Sequence, residues 1–278
     1  MRKWMLLFVA TLLFVCVVSV GFAAGYVKDF SMEYDDPLCI VETNYITMEV
    51  NSIEVDDDYL VIDTLVTNSN TKRGYEVSVT RASVNGIEIY PTYSEDVDAD
   101  DECDEPIEIG LSNVIENTDI KDIFDIELAV TIEDDDMEVV YKDVVHIYPY
   151  GADKAERYAR QSNDTDIVIV DNEQYKVTVT EFEYVAGWGY SIHMYIENKT
   201  DETIYLGGEN YSLNDTDADT WYDDYVGANG VSFSRLEWSQ SDLDDAEVEE
   251  VTSINFTLSI YDEEADNLLY RNTITLNP

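Results

Sequence analysis

Four acids stand at alternate positions in the stretch "SEDVDADDECDEPIE" (residues 94–108): Asp96, Asp98, Asp100 and Glu102. Alternate oxygen donors are how a loop begins to wrap a calcium ion. The helix-loop-helix form of such a site fails here, because Asp101 takes the position that needs glycine and Ile107 that of the closing glutamate. A looser calcium site on Asp96, Asp98, Asp100 and Glu102 is the only cofactor the sequence admits, set against a plain solvated acidic loop.

A second group is aromatic. Trp188, Trp221, Tyr222 and Tyr225 lie in or beside the turns "VAGWGY" and "TWYDDYVGANG". Rings stack on the apolar faces of sugars while neighbouring acids accept hydroxyl hydrogen bonds, so these four are candidate glycan contacts. The competing reading is that they plug the ends of the fold, and exposure separates the two. A third group is the cysteine pair Cys39 and Cys103, which an exported chain can keep as a disulfide or carry as two separate thiols.

Little else in the sequence suggests reactivity. The two histidines, His146 and His193, each fall inside a predicted strand, and alternation places His193 on the solvent side. No serine sits in a nucleophile elbow, no glycine-rich loop joins a strand to a helix, and no Cys and His spacing suggests zinc. The expectation is a protein with no catalytic residues that is not an enzyme.

The elements that position these residues begin with "MRKW" and the uncharged run that follows it, which read as an export signal or a retained N-terminal membrane anchor over residues 1–24. Cleavage after Ala23 suits a signal peptidase. The expected location is therefore extracellular or at the cell surface, with membrane contact only through this segment. The balance of 61 Asp plus Glu against 15 Lys plus Arg, a formal charge of −46, argues against nucleic acid as a partner. A protein or glycan at the cell surface is the partner class that remains.

After a spacer at residues 25–37 the chain repeats itself. Residues 38–149 align with 167–278 at an offset of 129, moving to 128 across one gap. Phe124, Ile126, Leu128, Val130 and Ile132 alternate with polar or small residues, and Ile254, Phe256, Leu258 and Ile260 repeat the pattern in phase. Both copies break phase at the same place near their start, as a bulge or a strand changing sheets would. About seven short strands per unit predict an all-β chain of two tandem immunoglobulin-like antiparallel β-sandwiches, preceded by an N-terminal hydrophobic helix. Between them, residues 150–166 contain "ADKAERYAR", which predicts a short helical linker whose Lys154, Arg157 and Arg160 form a basic stripe between two acidic domains.

The segments "VDNEQYKVTVTEFEY", "WGYSIHMYIENKTDETI", the "SVNG" or "SLND" turn and "DIKDIFDIELAVTIED" resemble immunoglobulin-like repeat modules in exported proteins of Gram-positive, clostridia-like bacteria. The resemblance covers nearly everything after residue 37 and is closer in the second unit. It implies a sandwich fold and a secreted or surface location. It supplies no activity. The function expected is adhesion, spacing or envelope interaction, with carbohydrate binding through the second unit's aromatics as the alternative.

Overall fold

The computed structural model describes residues 30–278, so the export segment and the first residues of the spacer lie outside the described residues. Among those described, no helix is long and apolar enough to cross a membrane. The chain is nearly all β and sandwich-like. In the N-terminal half the strands are β1 (Ser31–Glu42), β2 (Ile46–Asp56), β3 (Tyr59–Asn68), β4 (Tyr75–Val84), β5 (Ile87–Ile89), β6 (Tyr93–Val97), β7 (Glu102–Cys103) and β8 (Ile107–Gly110), then helix α1 (Ser112–Asn117), β9 (Ile126–Asp134) and β10 (Val139–Ile147). In the C-terminal half they are β11 (Ile167–Asp171), β12 (Tyr175–Val185), β13 (Gly189–Asn198), β14 (Ile204–Leu213), β15 (Thr216–Asp217), β16 (Asp223–Val226) and β17 (Val231–Ser239), then helix α2 (Gln240–Asp245), β18 (Ile254–Asp262) and β19 (Leu268–Leu276).

Alternation in sequence becomes burial. Ile126, Leu128, Val130 and Ile132 of β9 are fully covered, as are Ile254, Phe256, Leu258 and Ile260 of β18. Each set feeds a separate apolar cluster, the first of which also takes in Tyr195 and Val231 from the second half. The halves pair their strands in the same order: β1-β2-β3-β8 against β10-β9-β4-β6, and β11-β12-β13-β17 against β19-β18-β14-β16. The phase break is a bulge in both, between Val50 and Ser52 on β2 and between Val179 and Glu181 on β12.

The halves also share a sheet. Val231 of β17 pairs in parallel with Ile87 of β5, which makes one nine-stranded sheet running β10-β9-β4-β5-β17-β13-β12-β11. Beside this bridge lies a buried polar network. Arg81 Nη1 donates to both Glu88 oxygens (3.0 and 3.1 Å) and its Nη2 donates to Thr203 Oγ1 at 3.1 Å. Glu88 Oε2 also accepts the Gly227 N–H at 2.9 Å, so this one carboxylate ties the two halves. Burial nevertheless pushes the Glu88 carboxyl up to about 8, with Arg81 pulling against it.

Residues 150–166 correct the helical expectation, for they hold only a single 3₁₀ turn at Ala152–Lys154. The topology explains why. The preceding strand β10 and the following strand β11 are opposite edges of the nine-stranded sheet, seven strand steps or about 34 Å apart. A helix of this length would span only about 26 Å, so the chain crosses extended. It is fixed as it crosses: Tyr158 N donates to Asn85 O at 2.8 Å, and the Tyr158 ring packs on Phe233. Arg157 pairs with Glu127 of the first half and donates to the carbonyls of Ala228 and Asn229 in the second. Lys154 reaches only Asp153 and Arg160 pairs with Asp166, so Arg157 alone of the three cations joins the halves.

The disulfide is also corrected, since Cys39 and Cys103 are both free. Cys39 lies on β1 and Cys103 on β7, at opposite edges of the order β1-β2-β3-β7. Three strand steps are about 14 Å, twice the largest Cα separation a disulfide spans.

Candidate functional site

Two hairpin ends of the second half build the site. The turn between β12 and β13 holds three residues, Ala186 to Trp188, where the matching turn of the first half between β2 and β3 holds only Asp57 and Asp58. The additional residue puts Trp188 at the tip. Gly187 supplies the left-handed conformation (φ 82°), and Trp188 N closes the turn on Val185 O at 2.9 Å. Gly189 then lies against the next strand so closely that a Cβ would stand 1.9 Å from Trp238 O. The Trp188 carbonyl accepts the Gln240 N–H at the start of α2. Ser239 caps that helix through a capping box with Asp242, so the tryptophan's backbone is held from both sides.

The opposing wall carries Trp221, in the segment between β15 and β16. Its indole Nε1 donates to Asp223 Oδ1 at 2.6 Å, and the neighbouring Thr220 hydroxyl donates to Glu237 O. Trp188 is 81% exposed and Trp221 77% exposed. Both line one cleft of about 820 Å³ together with Glu183, Arg235, Glu237 and Asp242. Two large indoles thus stand exposed in one cleft beside carboxylates.

The other predicted contacts separate from this pair. Tyr222 is buried, its hydroxyl accepting from Ser234 Oγ at 3.3 Å, and burial pushes it well above the usual phenol range. It is a packing residue, the counterpart of the equally buried Tyr93 in the first half. Tyr225 stacks obliquely on Tyr205 at 4.9 Å and lines a different cleft with Arg81 and Tyr90. The residues sequence reasoning missed are Glu183, Arg235 and Glu237. They come from two stretches, β12 and β17, that are about fifty residues apart in sequence and acquire meaning only when β12, β13 and β17 lie side by side.

The carboxylates of Asp96, Asp98, Asp100 and Glu102 in the acidic loop form no ligand cluster among the described residues. The loop is closed from inside by the buried Asn68, whose Nδ2 donates to the carbonyls of Arg73, Val97 and Asp98 at 2.8, 3.2 and 2.9 Å. With the backbone turned inward, the acid side chains of Asp96 and Asp98 fan outward. His193 is another correction, being only 14% exposed in its side chain rather than facing solvent. Its strand is central in the shared sheet, and its ring is held by Glu183 Oε2 at 3.1 Å and Ser191 Oγ at 3.3 Å.

No protein-family model matches the chain, and no curated protein matches it. Among solved structures, a red sea bream transglutaminase aligns with 90% of this chain and 31% of its own length, at 6% identity and a TM-score of 0.23. A conserved domain protein from Bacillus anthracis aligns with 90% of this chain and 92% of its own, at 10% identity and a TM-score of 0.24.

Proposed function

We propose that this is a non-enzymatic secreted or cell-surface protein of two tandem immunoglobulin-like sandwiches, which adheres to a glycan through the Trp188 and Trp221 cleft. The observation that carries the reading is the pair of exposed indoles lining one cleft with Glu183, Glu237 and Asp242. Indole faces cover the axial C–H surface of a pyranose ring, and the carboxylates accept its hydroxyls. A surface of charge −46 favours neutral or amino sugars over anionic polymers. The matched strand orders, the bulges at matched positions and the shared sheet support a tandem pair joined as a stiff spacer behind the contact.

Affinity electrophoresis of residues 25–278 through gels containing cell-wall or plant polysaccharides tests it. Retardation on a neutral polymer is expected, lost in Trp221→Ala and in Trp188→Ala. Both variants should melt within about 0.5 kcal/mol of the parent, since neither ring is packed. Retardation on no polymer, or retardation unchanged in both variants, sinks the reading.

A further inference from the structure

The first half holds a group of ligand atoms that its counterpart lacks. Asp125 precedes β9, Glu127 lies on it, and His146 lies opposite Glu127 on β10. His146 Nδ1 stands 2.9 Å from Asp125 Oδ1 and 3.9 Å from Glu127 Oε1. One ligand atom from each residue falls within 4.8 Å of the others. The edge of a tetrahedral site with bonds of about 2.0–2.1 Å is about 3.3 Å, so small side-chain shifts bring the three atoms onto one ion. Both carboxylates are buried, Asp125 at 3% and Glu127 at 7% exposure, while the imidazole opens onto a cleft shared with Glu202, Glu263 and Glu264. The His146 ring is held by stacking on Tyr148 (5.2 Å, 11°).

The matching positions of the second half are Ser253, Asn255 and Thr275, with Thr275 opposite Asn255 as His146 is opposite Glu127. There the same framework carries a neutral hydrogen bond, Thr275 Oγ1 to Asn255 Oδ1 at 2.7 Å. The fold therefore does not need two buried acids and a histidine at this place.

We propose that Asp125, Glu127 and His146 bind a divalent transition-metal cation of the zinc class, with the open position facing the cleft. One imidazole with two carboxylates suits zinc or manganese, whereas calcium takes oxygen ligands in greater number. Arg157 is the competitor, because its guanidinium pairs with Glu127. It also donates to the carbonyls of Ala228 and Asn229, at 3.2 and 3.0 Å, so it keeps partners when the cation takes the carboxylate.

The test is calorimetric titration of residues 25–278 with zinc chloride, and separately with calcium, alongside a variant bearing Asp125→Ser, Glu127→Asn and His146→Thr. That variant repeats the second half's own residues, and thermal unfolding verifies that it folds. Zinc binding at one site, weakened at least about 100-fold in the variant, is expected. Arg157→Gln should tighten it, by about tenfold, through loss of the competing cation. The chain has only two histidines, so ring NMR signals give a second readout: zinc should move His146 and leave His193 in place. No zinc heat at millimolar ion, equal binding by parent and triple variant, equal affinity for calcium, or movement of neither or both histidines would each overturn the assignment.

Discussion

At residues 68 and 198 the two halves solve the same problem in the same way, and at residues 59 and 189 they do not. Asn198 Nδ2 donates to the carbonyls of Glu202, Val226 and Gly227 at 2.8, 3.0 and 2.9 Å, as Asn68 does to its own loop. Each is buried and each also accepts a backbone N–H two residues on. An Asn at the end of a strand thus supplies what a missing ladder partner would have supplied, in both halves. The hairpin tips obey no such constraint. Tyr59 opens β3 after a two-residue turn, whereas its counterpart Gly189 follows three residues and must be glycine. Closure is shared between the halves, and display differs.

The largest effect should come where display has become most demanding. Gly189→Ala forces a Cβ into the Trp238 carbonyl from a backbone at φ 138°, and should cost about 4 kcal/mol or more. Tyr59→Ala, at the same place in the first half, should cost under about 1 kcal/mol, because that ring is half exposed. Urea unfolding of the two variants makes the comparison, and equal losses would break it. Next come Asn68→Ala and Asn198→Ala, each expected to lose about 3 kcal/mol by leaving buried carbonyls without donors. If the two differed by more than about 1.5 kcal/mol, the claim that the halves share this closure would fail.

A different kind of test, a dependence on pH, belongs to the join between the halves. The Glu88 carboxyl titrates near 8 when folded and near its ordinary value of about 4.3 when unfolded. Between those values the folded chain holds a proton that the unfolded chain has released, so this group's contribution to stability falls as pH rises from about 4.5 to about 8 and is level above. Melting temperatures of the parent and Glu88→Gln at pH 5 and pH 8.5 should show a shallower decline in the variant. A decline equally steep in both would assign the dependence to the acidic surface instead.

The strands were readable because a half-buried strand writes its burial into every second residue. Ile126 to Ile132 and Ile254 to Ile260 do so without interruption, and the bulges near Asn51 and Thr180 appear as a slipped phase. What sequence could not supply was anything set by which strands become neighbours. Cys39 and Cys103 look like partners until three strand steps separate them. "ADKAERYAR" has good helix formers, but the distance it must cover overrides propensity. His146 looked unremarkable because Asp125 and Glu127 lie about twenty residues away in sequence and join it only through β9 and β10 pairing. Of the four aromatics, Trp188 and Trp221 reach one cleft while Tyr222 turns inward, a choice made by strand register rather than residue type.

The extended crossing of residues 150–166 bears on what a peptide bond contributes to this molecule. It runs from one edge of the shared sheet to the other, tied by Arg157 and Tyr158 along the way. Its first effect is to keep the two halves at a high effective concentration for each other, which makes the single parallel bridge and the Glu88 network intramolecular events. Once those contacts exist, its covalent continuity matters less than its grip. A protease that nicked the crossing would face one particle whose pieces remain bound, and loss of mass would lag well behind the cut.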